Sequence, residues 1–145
     1  MKVIPATAWH LEDFLKHARP LDMVEVKYAT GTPFEDTPLK DLADALVLVD
    51  EKNKVYAIGG YKNHVVWLLC TFRVVEHKIK FLRFMKNYYQ KVIDKEGWLY
   101  NYVWTGNELH MKWLKYMGAN FFPQKTYVWN GQPFILFNFV KKEGE

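Results

Sequence analysis

Two short apolar runs, Val65–Cys70 and Trp98–Trp104, are separated by a stretch in which hydrophobic residues recur every three or four positions. Ile79, Leu82, Met85 (or Lys86), Tyr89 and Val92 set that helical period within Val75–Ile93, and Lys78, Lys80, Arg83, Lys86 and Lys91 decorate the other side. A strand–helix–strand unit of this kind needs a crossover connection, which joins strands in parallel. The flanking signals are those of hairpins. Ala45–Val49 and Val55–Ile58 enclose the polar loop Asp50–Lys54, and Asn130-Gly131 joins Thr126–Trp129 to Pro133–Val140. Hairpins impose antiparallel pairing. A mixed sheet covered by helices on both faces satisfies both demands.

The remaining segments fit that frame. Lys2–Ala6 reads as a first strand. Thr7 is placed to cap a helix with Trp9, Leu11, Phe14, Leu15 and Ala18 on its apolar face, stopped by Arg19-Pro20. Leu21–Ala29 makes a second short helix with Met23, Val24, Val26 and Tyr28, and Leu39–Ala45 is open between loop and one more helical turn. Gly59-Gly60 is expected to end or bulge its strand. Val65–Cys70 is apolar on both faces, as a central strand is. Glu108–Met117 is a short amphipathic helix closed by Gly118, Ala119–Phe122 leads out of it, and Lys141–Glu145 is a charged tail. The order is β–α–α–β–β–β–α–β–α–β–β. The 145 residues contain no linker, repeat or low-complexity stretch, so residues 1–145 read as one α/β domain with a sheet of about six or seven strands, mostly antiparallel.

Composition narrows the function classes. Half the residues are hydrophobic and 17% aromatic, which excludes a disordered chain. The net charge of +4 suits a polyanionic partner but equally an ordinary soluble surface. The aromatic strand Trp98, Tyr100, Tyr102, Trp104 suits core packing better than base stacking, so nucleic acid is not the expected partner. A single cysteine, Cys70, rules out an internal disulfide and a cysteine zinc cluster, and the histidines show no metal-ligand spacing. No signal peptide opens the chain and no apolar run approaches a membrane span.

Asn107 and Gly118, eleven residues apart after the fifth strand, stand at a spacing seen in the Gcn5-related N-acetyltransferase (GNAT) fold, and the element order is similar to that fold. The likeness departs at three points. His110 takes the place of a small residue, Trp113-Leu114 replaces Leu-Tyr, and the turn Thr71–Lys78 contains no glycine. A narrower resemblance is carried by Leu99–Asn107, His110, Trp113–Lys115 and Met117–Ala119, together with Ala57–Gly60 and Phe134–Phe137. It is to the internal virion protein A family of T7-like podoviruses. That resemblance implies a phage protein that works in host cytoplasm during infection, meets phage virion or core proteins, and serves assembly of the particle's internal core. The GNAT resemblance implies acetyl-CoA and acyl transfer to an amine.

Acetyl-CoA-dependent transfer needs a cradle of free N–H groups for the pyrophosphate, a splayed strand pair for the pantetheine arm, and a base for the amine. On the cofactor side stand Cys70, Arg73, Lys78 and Asn107. Cys70 also reads as a buried, inert thiol, Arg73 and Lys78 as the solvated face of a helix, and Asn107 as an ordinary helix cap. On the catalytic side stand Glu76, His77, His110 and Tyr116, with His64 at the opposite rim of the sheet. Tyr116 lies two residues past the family's tyrosine position and faces another direction. Two readings stay open: an assembly protein on a degenerate acetyltransferase scaffold, and a working N-acetyltransferase.

Overall fold

The computed structural model describes residues 1–36 and 44–142. Strand β1 (Lys2–Pro5) is followed by helices α1 (Ala8–His17) and α2 (Pro20–Thr30) and a 3₁₀ turn at Phe34–Asp36. Strands β2 (Leu46–Val49), β3 (Val55–Lys62) and β4 (Val65–Cys70) come next, then helices α3 (Phe72–Glu76) and α4 (Lys78–Glu96). Strand β5 (Trp98–Trp104), helix α5 (Glu108–Tyr116) and the hairpin β6 (Asn120–Trp129) and β7 (Gln132–Val140) complete the described chain. The seven strands form one sheet in the order β1-β2-β3-β4-β5-β7-β6. All neighbours are antiparallel except β4 and β5. The mixed sheet read from the sequence is therefore the fold of the chain.

The β4–β5 pair decides the shape of the molecule. It has a single register pair, Val65 with Tyr100, at the N-terminal ends of both strands. Beyond that rung the strands diverge, and the sheet is forked at its centre.

Helices cover both faces. Phe81, Met85, Tyr89 and Val92 of α4 pack with Trp113 and Leu114 of α5 against Val66, Cys70, Leu99 and Val103. On the other face Phe14 of α1 and Val26 of α2 pack on Val47, Ile58 and Leu69. Complete burial of a side chain such as Phe81 or Phe14 contributes about 2 kcal/mol each. Thr7 caps α1 as expected, with His10 Nδ1 completing a reciprocal pair of capping bonds. Asn130 and Gly131 both take positive φ in the β6–β7 turn, the geometry that a two-residue hairpin requires.

Several expectations change. Gly59-Gly60 neither ends nor bulges β3, which runs on to Lys62. The two glycines are there for close approach: a Cβ on Gly59 would lie 2.5 Å from the Trp67 carbonyl oxygen, and one on Gly60 2.9 Å from that of Asp44. Ile79 is exposed and Phe81 takes its place on the buried stripe of α4. Trp9 and Leu15 are likewise exposed, and α1 turns His10 and Phe14 inward. The turn after β4 is a short helix, α3. β6 starts at Asn120 and continues through an irregularity between Phe122 and Thr126. The open expectation for Leu39–Ala45 falls mostly on residues 37–43, and the end of the charged tail on residues 143–145, which lie outside the described residues.

Candidate functional site

A fork in a sheet leaves backbone groups without a neighbouring strand, and buried groups of that kind must find partners elsewhere. The Thr71 N–H donates to the Tyr56 carbonyl at 3.0 Å. With the β3–β4 register, this turns the odd-numbered residues of β4 toward β3 and the even-numbered ones, Val66, Leu68 and Cys70, toward the fork. At the root of the fork the Tyr100 N–H donates to the His64 carbonyl at 2.8 Å, and one step further in Asn101 bridges the two strands with its side chain. Its Nδ2 donates to the Val66 carbonyl and its Oδ1 accepts from the Tyr102 N–H, both at 2.7 Å. At the mouth the tie is made by α2. The Cys70 N–H donates to Asp22 Oδ2 at 2.6 Å, and the Trp104 N–H donates to Glu25 Oε2 at 3.1 Å. One helix thus satisfies the ends of both splayed strands with two carboxylates three residues apart.

Those carboxylates are embedded in a buried polar cluster. Asn107, with no exposed surface, caps α5 through Oδ1 and sends its Nδ2 to Asp22 Oδ1 at 2.9 Å and Glu25 Oε1 at 2.8 Å. The guanidinium of Arg19 donates to Asp22 at 2.7 Å and lies 5.2 Å from the centre of the Trp113 ring. His110 Nδ1 lies 3.1 Å from Glu25 Oε1 and carries the proton of that bond, because an ionised carboxylate only accepts. Burial pushes the Asp22 carboxyl up, and the charges of His110 and Arg19 only partly offset it. Burial also penalises the Glu25 carboxylate, but the charge and hydrogen bond of His110, with the hydrogen bonds from Trp104 and Asn107, together outweigh it and hold the group below the usual range. Burial opposes charge on His110 as well, yet Glu25 and Asp22 together raise it. With His110 protonated, two cations face two carboxylates, so the cluster is balanced.

Between the ties a cavity of about 300 Å³ spans the fork, lined by β4, by Asn101 and Tyr102, and by Glu25 and His110. Its walls are mainly apolar, with Trp67, Leu114 and Phe134 among them. Leu68, whose N–H and C=O point into the fork, has no strand partner there among the described residues. His110 Nε2 likewise has no hydrogen-bond partner among the described residues.

The candidates named from the sequence are scattered over the molecule. Asn107 and His110 meet at the fork. Cys70 ends β4 beside them, but its thiol is buried and its ionisation is pushed far up by burial and by the Asp22 carboxylate, so the residue contributes through its backbone. Arg73 is half-buried and committed: it forks onto Asp13 at 2.6 and 3.2 Å and donates to the Val55 carbonyl at 2.9 Å, joining α3 to α1 and β3. Glu76 and His77 are exposed and line a shallow basin with Arg73, Lys80 and the β2–β3 loop. Lys78 is exposed at the start of α4. Tyr116 lies in a groove against α4, with Lys86 Nζ 5.0 Å above its ring. His64 sits at the root of the fork, stacked on Trp98 at 4.0 Å between ring centres. Among the described residues no group of His, Cys, Asp and Glu is placed to hold a metal ion.

The family model described as "Bacteriophage T7, probable scaffold protein Gp13" matches residues 45–126, more than half of the chain. The chain belongs to this Gp13 family. The probable scaffold protein gp13 of Escherichia phage T7 is 36% identical over 89 residues, which are 59% of this chain and 62% of the relative. The match thus spans about three fifths of that relative's length. The phage kinship expected from the sequence holds, under the description of a scaffold protein. The Gp13 segment runs from β2 into β6 and contains both arms of the fork with Asn101, Asn107 and His110. Helix α2 lies outside it, so the carboxylates that tie the mouth come from a part of the chain the family model does not reach.

Sequence reasoning missed Arg19, Asp22, Glu25 and Asn101. Asp22, Glu25 and Val26 recur at i, i+3 and i+4, so a helical-wheel reading of α2 puts two carboxylates beside its apolar Val26. A stripe at helical spacing in which two of three residues are acidic is the signal that was present.

Proposed function

We propose that this chain is a morphogenetic protein of a T7-like phage that acts through contacts with other phage proteins during construction of the virion's internal core, in the host cytoplasm and within the particle assembled there. Its scaffold is acetyltransferase-like, with a cleft that now serves stability. The observation that carries this reading is membership of the scaffold-protein family across the forked half of the sheet. The state of the fork supports it. Where a carrier's anionic end would enter, two buried carboxylates of α2 already hold the strand ends, and Arg73 is spent on Asp13. An anionic cofactor does not fit that mouth as it stands. Among the described residues no helix is long and apolar enough to cross a membrane.

The test is a phage lacking this protein. Particles purified from it and analysed by mass spectrometry are expected to lack one or more internal proteins; particles of unchanged composition and infectivity would refute the assembly role.

One observation favours a second reading, acetyl-CoA-dependent transfer to an amine. The N–H and C=O of Leu68, which have no strand partner in the fork among the described residues, open on an apolar cavity that also meets His110. Titration calorimetry with acetyl-CoA separates the two. The assembly reading expects no heat at millimolar ligand, whereas micromolar binding weakened by Lys78→Ala would restore the enzyme.

A further inference from the structure

The surface formed by α4, α5 and the end of β7 is unlike the rest of the molecule. Helix α4 carries six Lys or Arg against two carboxylates and α5 two Lys against one, an excess of five positive charges on two helices. That exceeds the net charge of the whole chain, +4, so the remainder is close to neutral. Of the eight cations, Lys80 alone has an ion-pair partner among the described residues, Glu51 at 3.7 Å. Clustered like charges repel one another, and an arrangement of this kind gains from an anionic partner.

The C-terminal half of this surface is concave. A groove of about 450 Å³ runs between α4, the end of α5 and the end of β7, edged by Lys86, Lys141 and Lys142. Its apolar part includes Tyr116 and Val140, which are 45% and 51% exposed, and Asp94 is a carboxylate in its lining. Lys86 lies over the Tyr116 ring and so covers a face on which a base would stack. Asp94 beside the lysines also disfavours an evenly charged phosphate backbone. A segment with acidic side chains set among apolar ones meets both halves of the lining.

We infer that this groove docks an acidic, partly apolar segment of a partner protein. The identity of that partner as a phage protein rests on the assembly reading above; the chemistry of the groove does not. The probe is fluorescein-labelled poly-L-glutamate, followed by anisotropy, with a single-stranded oligonucleotide of equal length as comparator. Poly-glutamate is expected to bind more tightly than the oligonucleotide, and more weakly as salt rises. The triple variant Lys86→Glu, Lys141→Glu, Lys142→Glu should weaken binding at least about tenfold, against less than about threefold for Lys16→Glu, Lys27→Glu, Lys52→Glu, which changes net charge equally away from the groove. Circular dichroism confirms that both triples are folded. No binding by the unaltered protein, an equal loss in the two triples, or tighter binding of the oligonucleotide overturns the inference. A phage carrying the groove triple tests the partner. Particles that assemble normally with the triple but not without the protein overturn the docking role and leave the assembly reading standing. Particles that assemble normally without the protein overturn the assembly reading itself.

Discussion

The side chain of Asn107 has no donor to spare. Both N–H groups of Nδ2 are used on Asp22 and Glu25, while Oδ1 caps the first turn of α5. Cap and cluster make different predictions. Asp is as good a cap as Asn, but here it would lose two donors and place a third carboxylate against two that are already buried. Asn107→Ala should cost about 3 kcal/mol in urea unfolding, roughly 1 for the cap and the rest for acceptors left short of a donor. Asn107→Asp should cost more than Ala at pH 7; a variant as stable as the unaltered protein would reduce Asn107 to a helix cap. The cluster also sets a pH profile. The folded state raises His110 above its ordinary 6.5, so it binds that proton more tightly than the unfolded chain. The resulting stability is complete below 6.5 and is lost as pH rises through the folded value. Glu25 is lowered below 4.5, so its contribution is present above 4.5 and lost as pH falls through its folded value. Asp22, raised above 3.8, has the opposite sign and partly offsets the acid loss. Urea midpoints measured across pH should fall on the alkaline side of 6.5, and His110→Gln should flatten that limb.

Elements whose signals are local were legible from sequence. β5 lies at Trp98–Trp104 as read, and Asn130-Gly131 turns the last hairpin, because the alternation of β5 and the turn chemistry of that pair are written in adjacent residues. Helix α2 was legible as a helix but its orientation was not. Its inward face carries Asp22 and Glu25, residues that ordinarily mark the solvated side, and what brings them in is a pair of strand ends far along the chain. Asn107 shows the same split: its role as a cap is local, whereas its partners stand 85 and 82 residues away. Arg73 read as a solvated cation because nothing in its neighbourhood in sequence announces Asp13, sixty residues earlier. Gly59-Gly60 read as a strand end because close approach between strands leaves no trace except the missing side chain.

At the scale of the whole molecule, a seven-stranded sheet is divided by a fork, and the division is repaired from outside the sheet by α2. The face covered by α1 and α2 holds the repair, while the opposite side carries the basic helices α4 and α5. The central claim, that α2 carboxylates take the place of a missing strand pairing, is tested most directly by native-state hydrogen exchange. In the unaltered protein the amides of Cys70 and Trp104 should be protected to a similar degree as Leu69 and Val103, while Leu68, in the middle of the central strand, exchanges faster. In Asp22→Ala/Glu25→Ala, protection at Cys70 and Trp104 should fall at least about tenfold further than at Leu69 and Val103. Unchanged protection of Cys70 and Trp104 in that variant, or a Leu68 amide as slow as Leu69, would contradict the account.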